Sequence, residues 1–504
     1  MAPRIEHVVV LMLENRSFDH MLGFLRHPSG DFDGLLRGGP YTNPGWDGGP
    51  PVAAAPGATP VVPGDPDHSH DAAVEQFSGG NQGFVTSYER KARGLAHPRF
   101  GGLLGPLIEL GYRLFVRPTP VSGVGPRVML CQDPANVPVL ATLALEFAVC
   151  TRWFCSVPGE TWPNRNYLHA ATSDGETSIH PRFYTDPTVF ELLEEAGHGW
   201  RIYHDDVPQA WAFSNLWTSA GRLANWHPFD DFAAHAAAGD LPAYCFVEPN
   251  HRPPVRLTDR PSNSQHPGNN VASSWRPGDD TDFARAEALI ASVYESLRGN
   301  PDLFARTVLL ITYDEHGGLY DHVPPARGLR DPGSRTGLLG RILRFLAHKK
   351  SAAFDFSWSG GRVPAVVVSP LIPRGTVCAT VMEHASVPAT LRALFAPGRP
   401  PLTVRDADAA RFDTLCSLDE PRADLPDLSA YVRPASTPAA VMDRLPGHVR
   451  DLAVLARRVR ARLHARPALA PRLSWQARDR SSLDAALADF RSAAAAARRT
   501  RRSQ

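Results

Sequence analysis

Short apolar runs that end abruptly in polar side chains recur along this chain. The clearest is the run at 307–313, TVLLITY, which is followed at once by Asp314 and Glu315. A run of this length and composition predicts a strand buried on both faces of a parallel sheet. Because open α/β sheets bind ligands at the carboxyl ends of their strands, these two carboxylates are candidates for a functional site. A solvated loop after the strand is the plainer interpretation.

The N-terminus repeats this pattern. Residues 7–13, HVVVLML, predict the first buried strand, and Glu14 and Asn15 follow it. Carboxylate and amide oxygens are ligands suited to a hard divalent cation. A helix is predicted to begin near Ser17, which can cap its N-terminus, so that a helix-capping loop is the alternative interpretation of this pair.

Other apolar runs predict the rest of a sheet. Strands are expected at 199–203, 243–247 and 363–369, and apolar spacing predicts a helix over 282–297. The order of strand, helix and strand between 243 and 313 is typical of a right-handed parallel crossover. We therefore predict an α/β fold with a mostly parallel central sheet and helices on both faces.

Thr161 is a candidate for anion chemistry. It follows a Pro158-Gly159 loop and is predicted to lie in the first turn of a helix. Its hydroxyl would then lie beside unpaired backbone N–H groups, which favour anions. Asn164 and Arg165 add a neutral donor and a planar cation that suit phosphate oxygens. A threonine with a structural capping role is the alternative interpretation.

Histidines flank these positions. His70 lies in the acidic and histidine-rich stretch DHSHD, His266 lies in SQHP, and His316 and His322 follow the Asp314-Glu315 pair. Such clusters suit metal ligation or contact with a phosphate. An exposed polar loop is the alternative for the DHSHD stretch.

Composition places the chain among ordinary globular proteins. It has 504 residues, 43% hydrophobic and 21% charged. Its 48 prolines and 40 glycines indicate long loops, and insertions are predicted at about 30–67, 90–126 and 326–361. A net charge of +1 gives no global field that would recruit nucleic acid, so no nucleic-acid partner is expected.

Two further sequence features concern the cellular location of the protein. Six cysteines in 504 residues are too sparse for a disulfide framework. The apolar run near the N-terminus is far shorter than a membrane span of about 20 residues and short for a signal peptide. A cytoplasmic location is therefore expected.

The character of the chain changes after about residue 400. Proline-rich connections lead to Ala/Arg-rich segments that predict helices at 447–464 and 481–500. We divide the chain into a catalytic domain, 1–400, and a helical extension, 401–504. A basic tail of this kind can contact a membrane surface peripherally, bind a partner or dock on its own protein, and its alanine-rich face favours a docked or solvated helix over membrane insertion.

Three separated motifs together resemble one family. ENRSFDH, FCSVPGETWPNR and TYDEHGGLYDHVPP, in this order, are similar to the bacterial phosphoesterases that include phosphatidylcholine-type phospholipases C and acid phosphatase A. The resemblance extends from Ile5 to about Leu394. It implies an alkaline-phosphatase-like α/β core and the hydrolysis of phosphoric esters.

The resemblance also implies roles for individual residues. It makes Thr161 the nucleophile, which would form a phosphothreonine intermediate. It implies a divalent metal ion of undetermined identity, and the implied ligands are Glu14, Asn15, Asp314 and Glu315. His316, His322 and His266 match histidines near the phosphate, and either His316 or His322 is expected to protonate the leaving group. Two positions depart from the family pattern, because Glu160 and Ser264 replace the residues that are usual there.

Three questions stay open at this stage. The substrate is either a phospholipid or a phosphomonoester, and the aromatic residues that could enclose a choline ammonium group are Trp162, Trp211, Trp217 and Trp226. The two departures leave a second hypothesis, a catalytically impaired metal- and phosphate-binding protein with a basic, partner-binding helical tail. The sequence does not indicate an oligomeric state.

Overall fold

The computed structural model describes residues 5–62, 64–95, 121–252, 262–268, 281–333, 354–432, 447–465 and 481–503. Parts of the predicted insertions at 90–126 and 326–361 lie outside the described residues, as do two segments of the extension after residue 400. The statements below concern the described residues.

A mixed sheet of eight strands forms the centre of the molecule. The other strands form small two-stranded sheets. In chain order, the strands of all these sheets are β1 (His7–Leu13), β2 (Thr42–Asn43), β3 (Val52–Ala53), β4 (Ala55–Pro56), β5 (Leu130–Cys131), β6 (Ala148–Cys150), β7 (Trp153–Phe154), β8 (Trp200–His204), β9 (Trp226–Pro228), β10 (Tyr244–Glu248), β11 (Thr307–Tyr313), β12 (Ala365–Val368), β13 (Thr376–Cys378) and β14 (Met382–Glu383). The large sheet has the order β13-β6-β12-β11-β1-β10-β8-β9. The predicted fold class, α/β with a mostly parallel sheet, is confirmed.

All strands of the large sheet run in the same direction except β12. β1 pairs in parallel with both β10 and β11, β8 joins β10 and β9 in parallel, and β13 pairs in parallel with β6. β12 runs antiparallel to both of its neighbours, β11 and β6. The carboxyl ends of β1, β10 and β11 therefore meet at one edge of the sheet.

Helices cover both faces of this sheet. Successive residues of β10, β11 and β12 are all buried, which requires cover on both sides because neighbouring side chains of a strand point to opposite faces. The helix Thr281–Arg298 packs against Pro138–Glu146, and Ser386–Phe395 packs against Thr161–Ala170 and Val189–Glu195. The remaining α-helices are Phe18–Leu22, His70–Gln76, Ser78–Asn81, Phe84–Ala92, Ala220–Leu223, Asp231–Ala237, Pro301–Phe304, Val404–Asp408, Gly447–His464 and Ser481–Ser503.

The first predicted insertion is not a bare loop. It carries the short strands β2, β3 and β4, and its Leu35 and Val62 join a second, smaller hydrophobic core. That core also contains Phe77, Phe84 and Leu319, the last of which follows the Asp314-Glu315 motif by four residues. The insertion therefore packs over the loop that continues from β11.

The two C-terminal helices dock on the catalytic part of the chain. Gly447–His464 and Ser481–Ser503 pack against each other, and the second also packs against β9. Phe490 is fully buried among Trp211, Trp217 and Trp226, at ring-centroid distances of 4.7, 6.3 and 5.2 Å. This burial favours the docked interpretation of the tail. In the described ranges, no helix combines the length and the hydrophobicity of a membrane span.

Candidate active site

Strand register brings the two acidic motifs together. In the parallel pair β1 and β11, Leu13 lies opposite Tyr313, so Glu14 and Asp314 are the next residues on strands about 4.8 Å apart. The backbone N–H of Asn15 donates to Oδ1 of Asp314 at 2.9 Å. The side chains of all four predicted ligands are buried. The sheet thus joins motifs that are about 300 residues apart in sequence.

Two turns with left-handed backbone shape this edge. Asn15 has φ of 54°, a conformation that asparagine tolerates better than most residues. Gly317 has φ of 67°, and a Cβ atom there would lie 2.1 Å from the carbonyl oxygen of Asn15. Gly317 also donates its N–H to Oε2 of Glu315 at 2.7 Å. The glycine is therefore required by both its conformation and its close approach to Asn15.

The donor set fits a divalent cation. Oδ1 of Asn15 and Oε1 of Glu315 are buried and have no hydrogen-bond partner in the described part of the chain. Burial raises the pKa of Asp314 to about 7; Arg165 opposes this shift, and the Glu14 and Glu315 carboxylates add to it. Buried carboxylates that disfavour one another's charge, together with a free amide oxygen, are typical of a site for a hard cation.

Arg165 holds this cluster from the facing helix, Thr161–Ala170. Its Nε donates to Oδ2 of Asp314 at 3.0 Å, and its Nη2 donates to the carbonyl oxygens of Met12 and Leu13, both at 3.3 Å. The side chain is fully buried. These contacts make Arg165 a support of Asp314, while its Nη1 is buried without a hydrogen-bond partner among the described residues and lies 3.7 Å from Oε1 of Glu248. The phosphate contact of Arg165 stays a prediction.

Thr161 begins the same helix. Residues four apart lie on one helix face, so Thr161 lies on the face of Arg165, one turn nearer the N-terminus. Its Oγ1 is buried without a hydrogen-bond partner among the described residues. Glu160 caps the helix by position only, since its side chain makes no capping bond. The hydroxyl and the first backbone N–H groups are therefore available to an anion.

Asn164 holds the loop before this helix. Its Nδ2 donates to the carbonyl oxygens of Val157 and Gly159 at 3.1 and 3.3 Å, and its Oδ1 accepts from the N–H of Val157 at 3.0 Å. The side-chain amide is engaged with the backbone at both ends. Asn164 therefore supports the loop that presents Thr161, and its phosphate contact stays a prediction.

His316 lies beside the predicted metal ligands. Its Nε2 pairs with Oε1 of Gln76 at 2.7 Å, in which the ring nitrogen donates. Its Nδ1 is 3.4 Å from Oε2 of Glu315 and makes no hydrogen bond within the described residues. The ring packs on Phe77 at 4.9 Å. One imidazole nitrogen is fixed and the other is free for chemistry at this site.

His68, rather than His70, reaches the predicted ligands. Nε2 of His68 is 3.5 Å from Nδ2 of Asn15, whereas Nδ1 of His70 donates to the carbonyl oxygen of Pro158 at 2.6 Å. Sequence reasoning missed this distinction. Ser69 caps the helix His70–Gln76, so His70 lies inside the helix and His68 in the loop before it, which a helix-start signal at Ser69 would have indicated.

The protonation of His68 depends on the charge around it. Burial opposes protonation, but the carboxylates of Glu315 and Asp65 outweigh it and raise the pKa of His68 to about 9. Its contact with an Asn15 N–H group instead requires an unprotonated Nε2. A cation bound by Glu315 would remove the largest cause that raises this pKa, and Nε2 would then be free to accept from Asn15.

His266 lies in the same neighbourhood. Its ring is 6.1 Å from that of His68, and its Nδ1 accepts from the N–H of Gly268 at 3.0 Å. Asp65, His68 and His266 have ligand atoms within 4.8 Å of one another. The structure therefore brings His266 near His68, and through it near Asn15.

His322 belongs to a different group of charged residues from the predicted metal ligands. Its Nδ1 is 2.6 Å from Oδ2 of Asp19, and its Nε2 is 3.1 Å from Oδ1 of Asp33. Arg362 bonds both Asp19 and Asp321, which completes a buried ion-pair network. This network joins the first and last motifs of the chain, and none of its contacts reaches Thr161 or the predicted metal ligands.

Glu248, the last residue of β10, and His251, three residues after it, extend this cluster. His251 lies 2.9 Å from Oε1 of Glu14 and 3.2 Å from Oε1 of Glu248. Burial lowers its affinity for a proton, but the Glu14 and Glu248 carboxylates raise the pKa of His251 to about 9. The sequence predicted the strand at 243–247 but gave no role to the residues that follow it. The available signal was that polar residues follow this apolar run, as they follow the runs that form β1 and β11.

His384 supports Asp314 from the backbone side. Its Nε2 donates to the carbonyl oxygen of Asp314 at 2.7 Å, and its Nδ1 accepts from the indole of Trp153 at 3.3 Å. Burial lowers the pKa of His384 to about 4, so the ring is neutral at ordinary pH. These two bonds fix its tautomer and leave it a structural role.

The two departures from the family pattern are accommodated locally. The Glu160 carboxylate accepts from the backbone N–H of Ile179. Ser264 Oγ accepts from the N–H of His266 at 3.4 Å, and the Ser264 carbonyl accepts from the N–H of Glu14 at 2.9 Å. Both residues therefore brace the loops that hold the site.

Comparison with known proteins finds relatives that match most of this chain. The model of the phosphoesterase family matches residues 5–396. Non-specific phospholipase C3 of Arabidopsis thaliana is 33% identical, over 84% of this chain and 76% of that protein. Non-specific phospholipase C6 of Arabidopsis thaliana is 34% identical, over 90% and 80%. Phospholipase C B of Mycobacterium tuberculosis is 27% identical, over 87% and 84%.

Solved structures show weaker similarity. A protein of the alkaline phosphatase superfamily from Vibrio parahaemolyticus is 11% identical over 57% of this chain and 64% of that one, with a TM-score of 0.30. The phosphonate monoester hydrolase of Agrobacterium radiobacter is 14% identical over 57% and 73%, with a TM-score of 0.29. Scores this low carry no conclusion about the site.

Proposed function

The chain belongs to the phosphoesterase family and is a phosphoric-ester hydrolase, and from this premise we propose a metal-dependent, phospholipase C-like enzyme with Thr161 as its nucleophile. One observation supports the proposal above the others. Thr161 Oγ1, Asn15 Oδ1 and Glu315 Oε1 are all buried without hydrogen-bond partners in the described ranges, and the Arg165–Asp314 contact links the elements that carry them.

The metal site of this proposal uses the four residues at the ends of β1 and β11. Glu14, Asn15, Asp314 and Glu315 would hold a hard divalent cation through oxygen atoms. Such an ion, when bound, lowers the pKa of a nearby hydroxyl and neutralises charge on a nonbridging phosphate oxygen. Arg165 holds the carboxylate of Asp314, and His384 holds its backbone carbonyl group.

Thr161 carries the covalent step. Its hydroxyl releases a proton to water as Oγ1 attacks phosphorus, an oxygen–phosphorus bond to the enzyme forms, the bond from phosphorus to the leaving alkoxide breaks, and the alkoxide takes up a proton. The free backbone N–H groups of the helix N-terminus stabilise the equatorial oxygens. In the second step water attacks phosphorus, and the bond to Thr161 breaks to release the phosphorylated head group and restore the hydroxyl.

We assign proton transfer to His316. The leaving alkoxide needs a proton, and a well-placed general acid contributes about 10²–10⁴-fold. His316 has its Nε2 fixed by Gln76 and its Nδ1 free next to Glu315. His322, the other candidate from the sequence, is held by Asp19 and Asp33, so the proposal gives it a structural role.

The substrate class follows from the relatives. The similar proteins named above are phospholipases C, two of them called non-specific. A choline cage from Trp211, Trp217 and Trp226 receives no support, because these side chains are fully buried around Phe490. We therefore propose hydrolysis of glycerophospholipids with little dependence on a choline head group.

Parallel assays test this proposal. Wild type, Thr161→Ala and Thr161→Ser would be compared on phosphatidylcholine and phosphatidylethanolamine micelles and on p-nitrophenyl phosphate, with and without chelator. We expect diacylglycerol release from both lipids, its loss on chelation, and its loss in Thr161→Ala with partial retention in Thr161→Ser. Activity in Thr161→Ala or after complete metal removal would contradict the mechanism, and turnover of the monoester alone would contradict the substrate class.

The same assays address the alternative of an impaired binding protein. That hypothesis depended on the departures at Glu160 and Ser264. Both side chains brace local backbone, and the candidate nucleophile and all four candidate ligands are present. A wild type that binds metal and phosphate but turns over none of the substrates would favour the alternative.

A further inference from the structure

A separate group of side chains of metal-ligating types lies at the β9 edge of the sheet. His227 belongs to the edge strand β9, and Asp231 and His235 belong to the helix Asp231–Ala237 that follows it. Their ligand atoms all lie within 4.8 Å of one another. We propose that these three residues form a second metal site, for a borderline transition metal ion of the Zn²⁺ class.

Local structure explains why these residues converge. Asp231 and His235 are four residues apart and therefore share one face of the helix. His227 lies in the middle of β9, with its Nδ1 3.1 Å from Oδ2 of Asp231 and its ring centroid 4.9 Å from that of His235. The two rings are nearly perpendicular, at 87°. A tetrahedral ion with bonds of about 2.0–2.1 Å needs ligand atoms about 3.3–3.4 Å apart. The His227–Asp231 pair is already near this separation, and His235 completes the set by a small shift of its ring.

The surroundings support one of the ligands. The hydroxyl of Tyr203 lies 2.9 Å from Nδ1 of His235, which leaves Nε2 of that ring for an ion. Histidine ligands of metals characteristically bond a protein group through their other nitrogen, which fixes the orientation of the ring. The Asp231 side chain is 38% exposed, so an ion and a water ligand can enter from solvent.

Nearby charges bear on which ions would bind. Burial is the main cause that lowers the pKa of His227, and the nearby Arg498 and Arg201 add to it. Arg201 is paired with Asp240 at 2.9 Å, and Arg498 donates to the carbonyl oxygen of Trp226. The site therefore carries no excess of negative charge to attract a hard cation. Two imidazoles and one carboxylate favour Zn²⁺, Co²⁺ or Ni²⁺ over Mg²⁺ or Ca²⁺.

This site is independent of the proposed active site. β9 is the edge strand, and β8 and β10 separate it from β1. An ion there would join the helix Asp231–Ala237 to the sheet edge, where Arg498 of the C-terminal helix also attaches. Its role would be to stabilise this edge, because an ion that binds only the folded state adds to stability.

Cobalt titration of the metal-free full-length protein tests the proposal. Stoichiometry and the visible spectrum of bound Co²⁺ would be followed in wild type, His235→Gln, Asp231→Asn and the active-site variant Asp314→Asn. His198→Gln is the matched control, since His198 is a partly exposed histidine whose ring packs on Phe395. Zn²⁺ competition and thermal unfolding would be measured in parallel.

The expected result is specific to the three residues. His235→Gln and Asp231→Asn each lose one bound Co²⁺ and its spectrum, and with it the rise in Tm on adding Zn²⁺, while lipid hydrolysis is unchanged. Asp314→Asn and His198→Gln retain this bound Co²⁺ with its spectrum, and they retain the rise in Tm on adding Zn²⁺. Tyr203→Phe weakens binding by about 10–100-fold. Equal Co²⁺ stoichiometry and spectra in His235→Gln, Asp231→Asn and wild type would overturn the proposal, as would loss of all Co²⁺ in Asp314→Asn.

Discussion

At the scale of single residues, Arg165 connects the helix of Thr161, the proposed nucleophile, to the proposed metal ligands at the carboxyl ends of β1 and β11. Its bonds to Asp314, Met12 and Leu13 are all buried. The sequence predicted a phosphate contact for this residue but did not indicate its contacts with Asp314 and β1. Adjacency in sequence does not give the direction of a side chain, and a helix turns residues four apart onto one face.

Replacement of Arg165 tests this positioning role. Arg165→Met leaves the Asp314 carboxylate buried without its partner, so we expect the metal-free protein to lose about 3–5 kcal/mol in its free energy of unfolding. Arg165→Lys keeps the charge but loses the planar fork, and should weaken metal affinity by about 10–100-fold. Urea unfolding and metal titration measure the two effects.

A surface arginine supplies the control. Arg399 pairs with Glu195 at 3.3 Å, with both side chains largely exposed. Arg399→Ala should change stability by about 0–1 kcal/mol and leave metal affinity unchanged. Equal effects of Arg165→Met and Arg399→Ala would contradict the role given to Arg165.

The network around His322 makes a pH-dependent prediction. Burial opposes protonation, but bonds to Asp19 and Asp33 raise the pKa of His322 to about 9, above its ordinary value of 6.5. The stability it contributes is therefore fully present below pH 6.5 and is lost as pH rises through about 9. The difference in unfolding free energy between wild type and His322→Gln should shrink by up to about 3 kcal/mol over this window.

Unfolding in urea at several pH values measures that difference. A difference that does not change with pH would contradict the ion pairs. A loss of turnover in folded His322→Gln as large as that in His316→Gln would instead favour the catalytic role that the sequence predicted for His322.

At the scale of elements, the apolar runs predicted the buried strands well. β1 and β11 have the predicted bounds, and β8 and β10 begin and end one residue later than predicted. Such runs are recognisable because both faces of a central strand are buried. The antiparallel direction of β12 was not predictable, since a run of valines does not encode direction. The separation of His322 from His316 also needed the structure, because the Gly317-Gly318 turn between them redirects the chain.

The turn at Gly317 gives a prediction for this element. Gly317→Ala places a Cβ atom 2.1 Å from the Asn15 carbonyl oxygen at a φ of +67°. We expect strain of about 1–3 kcal/mol and a displaced Asn15, hence weaker metal binding and a lower Tm. Gly328→Ala is the matched control, because Gly328 has φ of +79° with nothing within 4 Å of its Cβ position. Similar metal affinities in the two variants would contradict the close approach to Asn15.

At the scale of the whole molecule, the C-terminal helices are part of the folded unit. Phe490 fills a pocket of three tryptophans that belong to the catalytic part of the chain. The sequence predicted the helices but not their docking site, because an alanine-rich face gives little indication of its partner. Ion pairs such as Arg252 with Asp484 add to this contact.

Phe490→Ala tests the importance of that contact. Loss of a fully buried phenylalanine should cost about 3–5 kcal/mol and expose tryptophan to water. Thermal unfolding and the emission wavelength of tryptophan report both changes. Thr500→Ala, on the exposed end of the same helix, should leave both unchanged. An unchanged Tm in Phe490→Ala would contradict a stabilising role for the docked tail.

The most direct test of the account is to trap the covalent intermediate on Thr161. Wild-type protein turning over p-nitrophenyl phosphate would be quenched in acid and digested with trypsin, which releases residues 153–165, WFCSVPGETWPNR. The account predicts phosphate on Thr161 in this peptide, its absence in Thr161→Ala, and its dependence on bound metal. Turnover by wild type with no phosphate on this peptide, and continued turnover by Thr161→Ala, would contradict it.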